Sequence, residues 1–203
     1  MFGRRMLGAL MTFFAVAMLA AAAEGWELTS SDVRNAYFLG QRRGDQQLHG
    51  FLASYEKRLS AEFRGFQVWS VAVSTPYHQV VERSRRFPNY SSQQAQRDYE
   101  SDRDRIVFTA TVYLPNGGRV YNFGGHRIWD DFDLRLVQNG RTIAPHQLQR
   151  EPVYSFGEDG ALTGFLLRGE FSTQQVARGA VTVEIITDTK DVVPAQFDLG
   201  RLK

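Results

Sequence analysis

Ile106-Val107-Phe108-Thr109-Ala110-Thr111-Val112-Tyr113-Leu114 decides the fold. Ile106, Phe108, Ala110, Val112 and Leu114 alternate with Val107, Thr109, Thr111 and Tyr113. A period of two rich in β-branched and aromatic residues marks a strand with one face in a core. Pro115-Asn116-Gly117-Gly118 then supplies turn residues that end it.

The same period recurs on both sides. Upstream, Trp69, Val71 and Val73 share one face of a strand over 67–74, so the spacing places Trp69 in the core, and Pro76 stops the run. Downstream, 119–123 reads as a short partner strand. Phe132, Leu134 and Leu136 alternate with Asp133 and Arg135. Asn139-Gly140 tolerates the positive φ of a type I′ hairpin turn, and 142–144 returns from it. Tyr154-Ser155-Phe156 leads into the turn Gly157-Glu158-Asp159-Gly160, followed by a strand over 162–171. Val181, Val183 and Ile185 alternate next, 188–191 turns the chain, and 195–199 closes the fold. These seven or eight strands predict a mainly β (α+β) protein, an antiparallel immunoglobulin-like β-sandwich, with a partly closed β-barrel as the alternative. Helices do not alternate with the later strands, which excludes a parallel α/β sheet.

Two helices precede the strands. Thr29-Ser30-Ser31-Asp32 is a capping box, and Val33, Ala36, Tyr37 and Gly40 line one face to about Gln41. Leu48, Phe51, Leu52, Tyr55, Leu59 and Phe63 form a second helical stripe, which extends that helix to Phe63. The expected organisation is a signal peptide at 1–23, a helical hairpin at 24–64 packed on the β domain, and a β-sandwich at 65–203. A polar helical insertion at 77–104 carries a helix from Ser91 to Arg103. Its interleaved acids and arginines read as a solvated face with weak ion pairs.

The first residues follow the secretory pattern: Arg4 and Arg5, then an apolar run over 6–20, then Ala21-Ala22-Ala23. Cleavage before Glu24 is expected, and an extracytoplasmic location, periplasmic or secreted, follows. An uncleaved anchor is the rival reading, since the apolar run approaches the ~20 residues of a span. The chain has 24 Lys+Arg and 22 Asp+Glu. Two arginines and no acid lie in 1–23, so the remainder is electroneutral. A nucleic-acid binder keeps a basic surplus on one face, and that class is set aside. No stable membrane span is expected after cleavage. The absence of cysteine excludes disulfides, zinc–thiolate sites and thiol nucleophiles.

The densest polar and aromatic stretch is Gly124-Gly125-His126-Arg127-Ile128-Trp129-Asp130-Asp131-Phe132-Asp133. Three carboxylates in four residues suit a hard cation by type, but their spacing matches no EF-hand loop, and no metal or cofactor is expected. Among Trp69, Trp129, Tyr113 and Tyr121, the sequence singles out Trp129 and Tyr121 as faces on which sugar rings stack. His126 and Asp130 complete the expected ligand-binding set. His126 with Asp130 or Asp131 is also the one arrangement that suits a hydrolase, although no G-x-S-x-G, HxH or HExxH pattern accompanies it. The reading is a non-enzymatic exported module that binds a protein or cell-envelope component, with a carbohydrate-binding module and a hydrolase as alternatives.

Overall fold

A computed structural model describes residues 25–42, 44–63, 65–114, 127–155 and 161–203. Among them, nine strands form two antiparallel sheets, accompanied by four α-helices. The chain runs α1 (Ser30–Gln41), α2 (Gln46–Ala53), β1 (Glu56–Phe63), β2 (Phe66–Ser74), α3 (Pro76–Arg86), α4 (Ser92–Asp102) and β3 (Arg105–Tyr113). It continues through β4 (Asp133–Gln138), β5 (Arg141–Ile143), β6 (Gln147–Tyr154), β7 (Leu162–Ser172), β8 (Ala180–Ile186) and β9 (Val192–Asp198). Hydrogen bonding orders the sheets β1-β2-β3-β7-β6 and β5-β4-β8-β9. Among the described residues each sheet has two free edges, and neither closes into the barrel offered as an alternative.

The alternation that predicts β3 is what builds the core. Ile106, Phe108, Ala110 and Val112 are all at most 1% exposed. Residues of both sheets form one apolar cluster, and aromatic contacts bridge it. The Phe132 and Phe165 rings meet edge to face at 4.9 Å, and Phe108 and Phe197 at 6.0 Å. Arg150 of the edge strand β6 donates from Nε (3.1 Å) and Nη2 (2.9 Å) to the Phe132 carbonyl, tying one sheet to the entry of the other. Asn139 (φ 52°) and Gly140 (φ 72°) make the expected tight turn between β4 and β5.

Three local readings change. The second helix ends at Ala53, and residues to Phe63 form β1 instead. Tyr55, Leu59 and Phe63 are four apart, a spacing that fits a strand face as well as a helix stripe because four is a multiple of two. Tyr55 is buried, and Leu59 and Ala61 pack on the main core. β6 was not foreseen: it is a half-exposed edge strand without clean alternation and contains Pro152, which an edge tolerates.

The stretch expected as a polar insertion carries a core of its own. Tyr77, Val80 and Val81 of α3 with Ala95 and Tyr99 of α4 pack on Val33 and Ala36 of α1 and Leu48 of α2. α1 and α3 approach so closely at Gly40 that a Cβ there would lie 2.4 Å from the Val81 carbonyl oxygen. Ser84, fully buried, donates to the Tyr37 carbonyl at 2.7 Å across that contact. The capping box at the start of α1 is present, with Asp32 N–H donating to Thr29 Oγ1 and Thr29 N–H to the Asp32 carboxylate. No helix among the described residues is long and apolar enough to cross a membrane. The expected signal segment lies outside the described residues.

Candidate functional site

Strand register fixes what the outer face of the five-stranded sheet presents. Partners across strands share a face, so pairing sorts side chains into rows. One row runs Gln67, Tyr113, Gly164, Val153, and the next runs Ser70, Thr111, Leu166, Glu151. Between these rows β2 carries one residue more than β3. Val68 pairs with Val112 and Ser70 with Thr111, which leaves Trp69 as the extra residue of a bulge.

The bulge reverses the expectation for Trp69. Up to Val68 the inward residues are even-numbered, Phe66 and Val68, whereas beyond the bulge they are odd-numbered, Val71 and Val73. A strict period of two from Val73 back to Trp69 therefore crosses a change of phase. Trp69 is 44% exposed on the outer face. Tyr113, the last residue of β3, is equally exposed.

Trp69 and Tyr113 line a groove of about 330 Å³ together with Gln67, Thr111, Val153 and Gly164. Gly164 keeps the groove open and the strands close, since a Cβ at this position would fall 2.2 Å from the Val112 carbonyl oxygen. The Arg58 guanidinium of β1 lies 5.8 Å from the Trp69 ring centroid, within reach of a cation–π contact that holds the indole in place. Val153, and Tyr154 beyond it, are exposed at the β6 end. The surface is thus a mostly apolar depression bounded by two large aromatic side chains, with Gln67, Thr111 and Thr163 as its polar points.

Of the residues singled out from sequence, the described ones, Trp129 and Asp130, fall elsewhere. Trp129 is 9% exposed and belongs to the main core, so its indole offers no open stacking face. It sits in a 3-10 turn, Ile128–Asp131, whose apolar residues fold inward. Asp130 is exposed on the same turn, and its N–H donates to the Arg127 carbonyl at 2.9 Å. Asp133 caps its own strand by accepting from Leu134 N–H. His126 and Tyr121 lie outside the described residues, as does the strand expected over 119–123. No group of three or more metal-ligating side chains occurs among the described residues.

Of the histidines, His78 has the most built surroundings. Its ring packs against Tyr55 (4.5 Å) and Phe51 (6.0 Å), and Nδ1 is 3.1 Å from Ser74 Oγ. Burial pushes its pKa down to about 4, so the imidazole is neutral and a weak base near pH 7. No carboxylate bonds to it among the described residues, and the pair lacks the orienting third group of a hydrolytic triad.

The fold and this face define a two-sheet antiparallel β protein with a helical cap and an exposed aromatic groove. Comparison with family models, curated proteins and solved structures gives no match.

Proposed function

We propose that this chain is an exported, non-enzymatic binding module of immunoglobulin-like topology, and that its partner is a protein of the extracytoplasmic space. The observation that carries the reading is the pair Trp69 and Tyr113, exposed on either side of one apolar groove with Arg58 against the indole. Trp, Tyr and Arg are the residue types that dominate the energetic centres of protein interfaces. A bulge that turns a tryptophan out of a core face spends apolar burial on exposure, which a partner would restore.

Strand order supports the topology. β2-β3-β7-β6 opposite β5-β4-β8-β9 follows the ABED and C′CFG arrangement of immunoglobulin-like sheets, with β1 added at one edge and the α3–α4 unit inserted between the first two strands. The sequence pattern at 1–23 supports export.

A glycan is the second reading, favoured by Gln67 and Thr111 beside the aromatic rings, where they would hydrogen-bond hydroxyls of a stacked sugar. A photo-reactive phenylalanine analogue placed at Gln67, with one at the exposed Thr142 on the opposite sheet as control, separates the two. Cross-linking to one defined protein from Gln67 alone is the expected result. Equal capture from both positions, or retention on a polysaccharide array that Trp69→Ala abolishes, would replace the protein reading.

A further inference from the structure

The same sheet face continues away from the aromatic groove into rows of different chemistry. Ala72, Thr109 and Arg168 form one row, and Ser74, Val107 and Glu170 the next. α3 begins directly after β2, its start capped by Thr75, and a cleft of about 450 Å³ opens between its residues and these rows. Arg83 and Arg86 line it from the helix, and Arg105 and Arg168 from the sheet. Glu82 is the one acid among the described lining residues, and Arg85 takes it at 3.0 Å.

The acids that balance these arginines stand outside the lining. Asp102 binds Arg83 directly and Arg105 at 3.2 Å, while Asp98 lies 3.6 Å from Arg83. Glu170, buried, lies 3.4 Å from Arg105 Nη1 and 3.8 Å from Arg168 Nε. This framework fixes the guanidinium groups without using all their donors. Arg86 has no partner among the described residues, and the two Nη groups of Arg168 have none either. The Nε atoms of Arg105 and Arg168 are buried without a hydrogen bond. Guanidinium groups held around one cleft repel each other and carry planar donor pairs that match an oxyanion.

We infer that this cleft binds an oxyanion, the carboxylate or phosphate group of a ligand, with Arg86 and Arg168 as the donors and Arg83 and Arg105 as the fixed positive field. Arginine binds both groups through paired N–H donors, so the probes distinguish the source. The test is calorimetric titration of the full chain with inorganic phosphate and, separately, with succinate at constant ionic strength. Arg86→Gln, Arg168→Gln and, as a remote control, Arg201→Gln are titrated in parallel. Binding of one probe with a Kd near or below about 1 mM is expected, weakened about tenfold by either cleft substitution and unchanged by Arg201→Gln. Preference for phosphate or for succinate assigns the group. Absence of binding by both, or equal weakening in all three variants, overturns the inference. Trp69→Ala leaves this binding intact, so loss of the protein-partner reading and loss of the anion site register in different experiments.

Discussion

Trp69 stands between the Val68–Val112 and Ser70–Thr111 pairs as the extra residue of the β2 bulge, and from that position its ring faces the Arg58 guanidinium at 5.8 Å. One inserted residue thereby moves the largest side chain of the strand from the core to a surface. The strand still buries Val68, Val71 and Val73 on its other face, so core and exposed groove share one strand.

Packing of the helical cap on itself depends on a glycine. Gly40→Ala would drive a methyl group against the Val81 carbonyl and the Ser84 Cβ, neither of which is a flexible chain end. A loss of about 2–3 kcal/mol in unfolding free energy is expected, the range of overpacked cores. Gly50→Ala, in α2 with open space around its Cβ, should instead stabilise by about 0.5–1 kcal/mol through helix propensity. Urea denaturation of both variants against wild type measures the contrast.

Acid should weaken the fold through His78. Burial holds this imidazole neutral to about pH 4, against 6.5 when unperturbed; nearby Glu82 pulls its pKa up and Arg85 pulls it down. Above pH 6.5 neither folded nor unfolded chain carries the proton. Between 6.5 and 4 the unfolded chain takes it up and the folded chain does not, so stability falls across that window and this contribution levels off below it. The loss approaches about 3 kcal/mol. Stability measured from pH 7.5 to 4.5 should decline less steeply in His78→Gln, and identical slopes would remove His78 as the cause.

Glu170 holds the arginine framework from beneath. Its carboxylate is buried and faces Arg105, Arg168 and His146. Glu170→Gln preserves the shape but leaves Arg168 without its counter-charge and Arg105 with Asp102 alone. Because those arginines are partly exposed, the expected cost is about 2 kcal/mol, below the cost of splitting a fully buried pair. The thermal midpoint of the variant, read at low and high salt, checks both the size and the electrostatic origin.

The β framework was legible wherever one face alternated without interruption: β3, β4, β8 and the Asn139-Gly140 turn follow from periodicity and turn chemistry. β1 was not, because Tyr55, Leu59 and Phe63 satisfy helix and strand spacing alike, and only pairing with β2 decides between them. The apolar side of α3 and α4 was hidden by arithmetic. Tyr77, Val80, Val81, Ala95 and Tyr99 are few among many charges, yet they converge on α1. The groove was half visible. Trp69 and Tyr113 stood among the aromatics considered for a platform, but strict alternation assigned Trp69 to the core. A bulge leaves no mark on composition, although the run Val68-Trp69-Ser70-Val71 holds apolar residues at both parities, which is the trace a phase change leaves. Trp129 shows the reverse, a tryptophan in a polar stretch that folds into the core.

The Trp69–Tyr113 groove is the contact surface we propose. Its most direct test is the affinity of the partner captured through Gln67 for wild type and for Trp69→Ala, measured by calorimetry alongside the thermal midpoint of each. A loss of about 2 kcal/mol or more in binding, with the midpoint nearly unchanged, is the expected result for an exposed anchor. Unchanged affinity in a folded Trp69→Ala variant would rule the groove out as that surface.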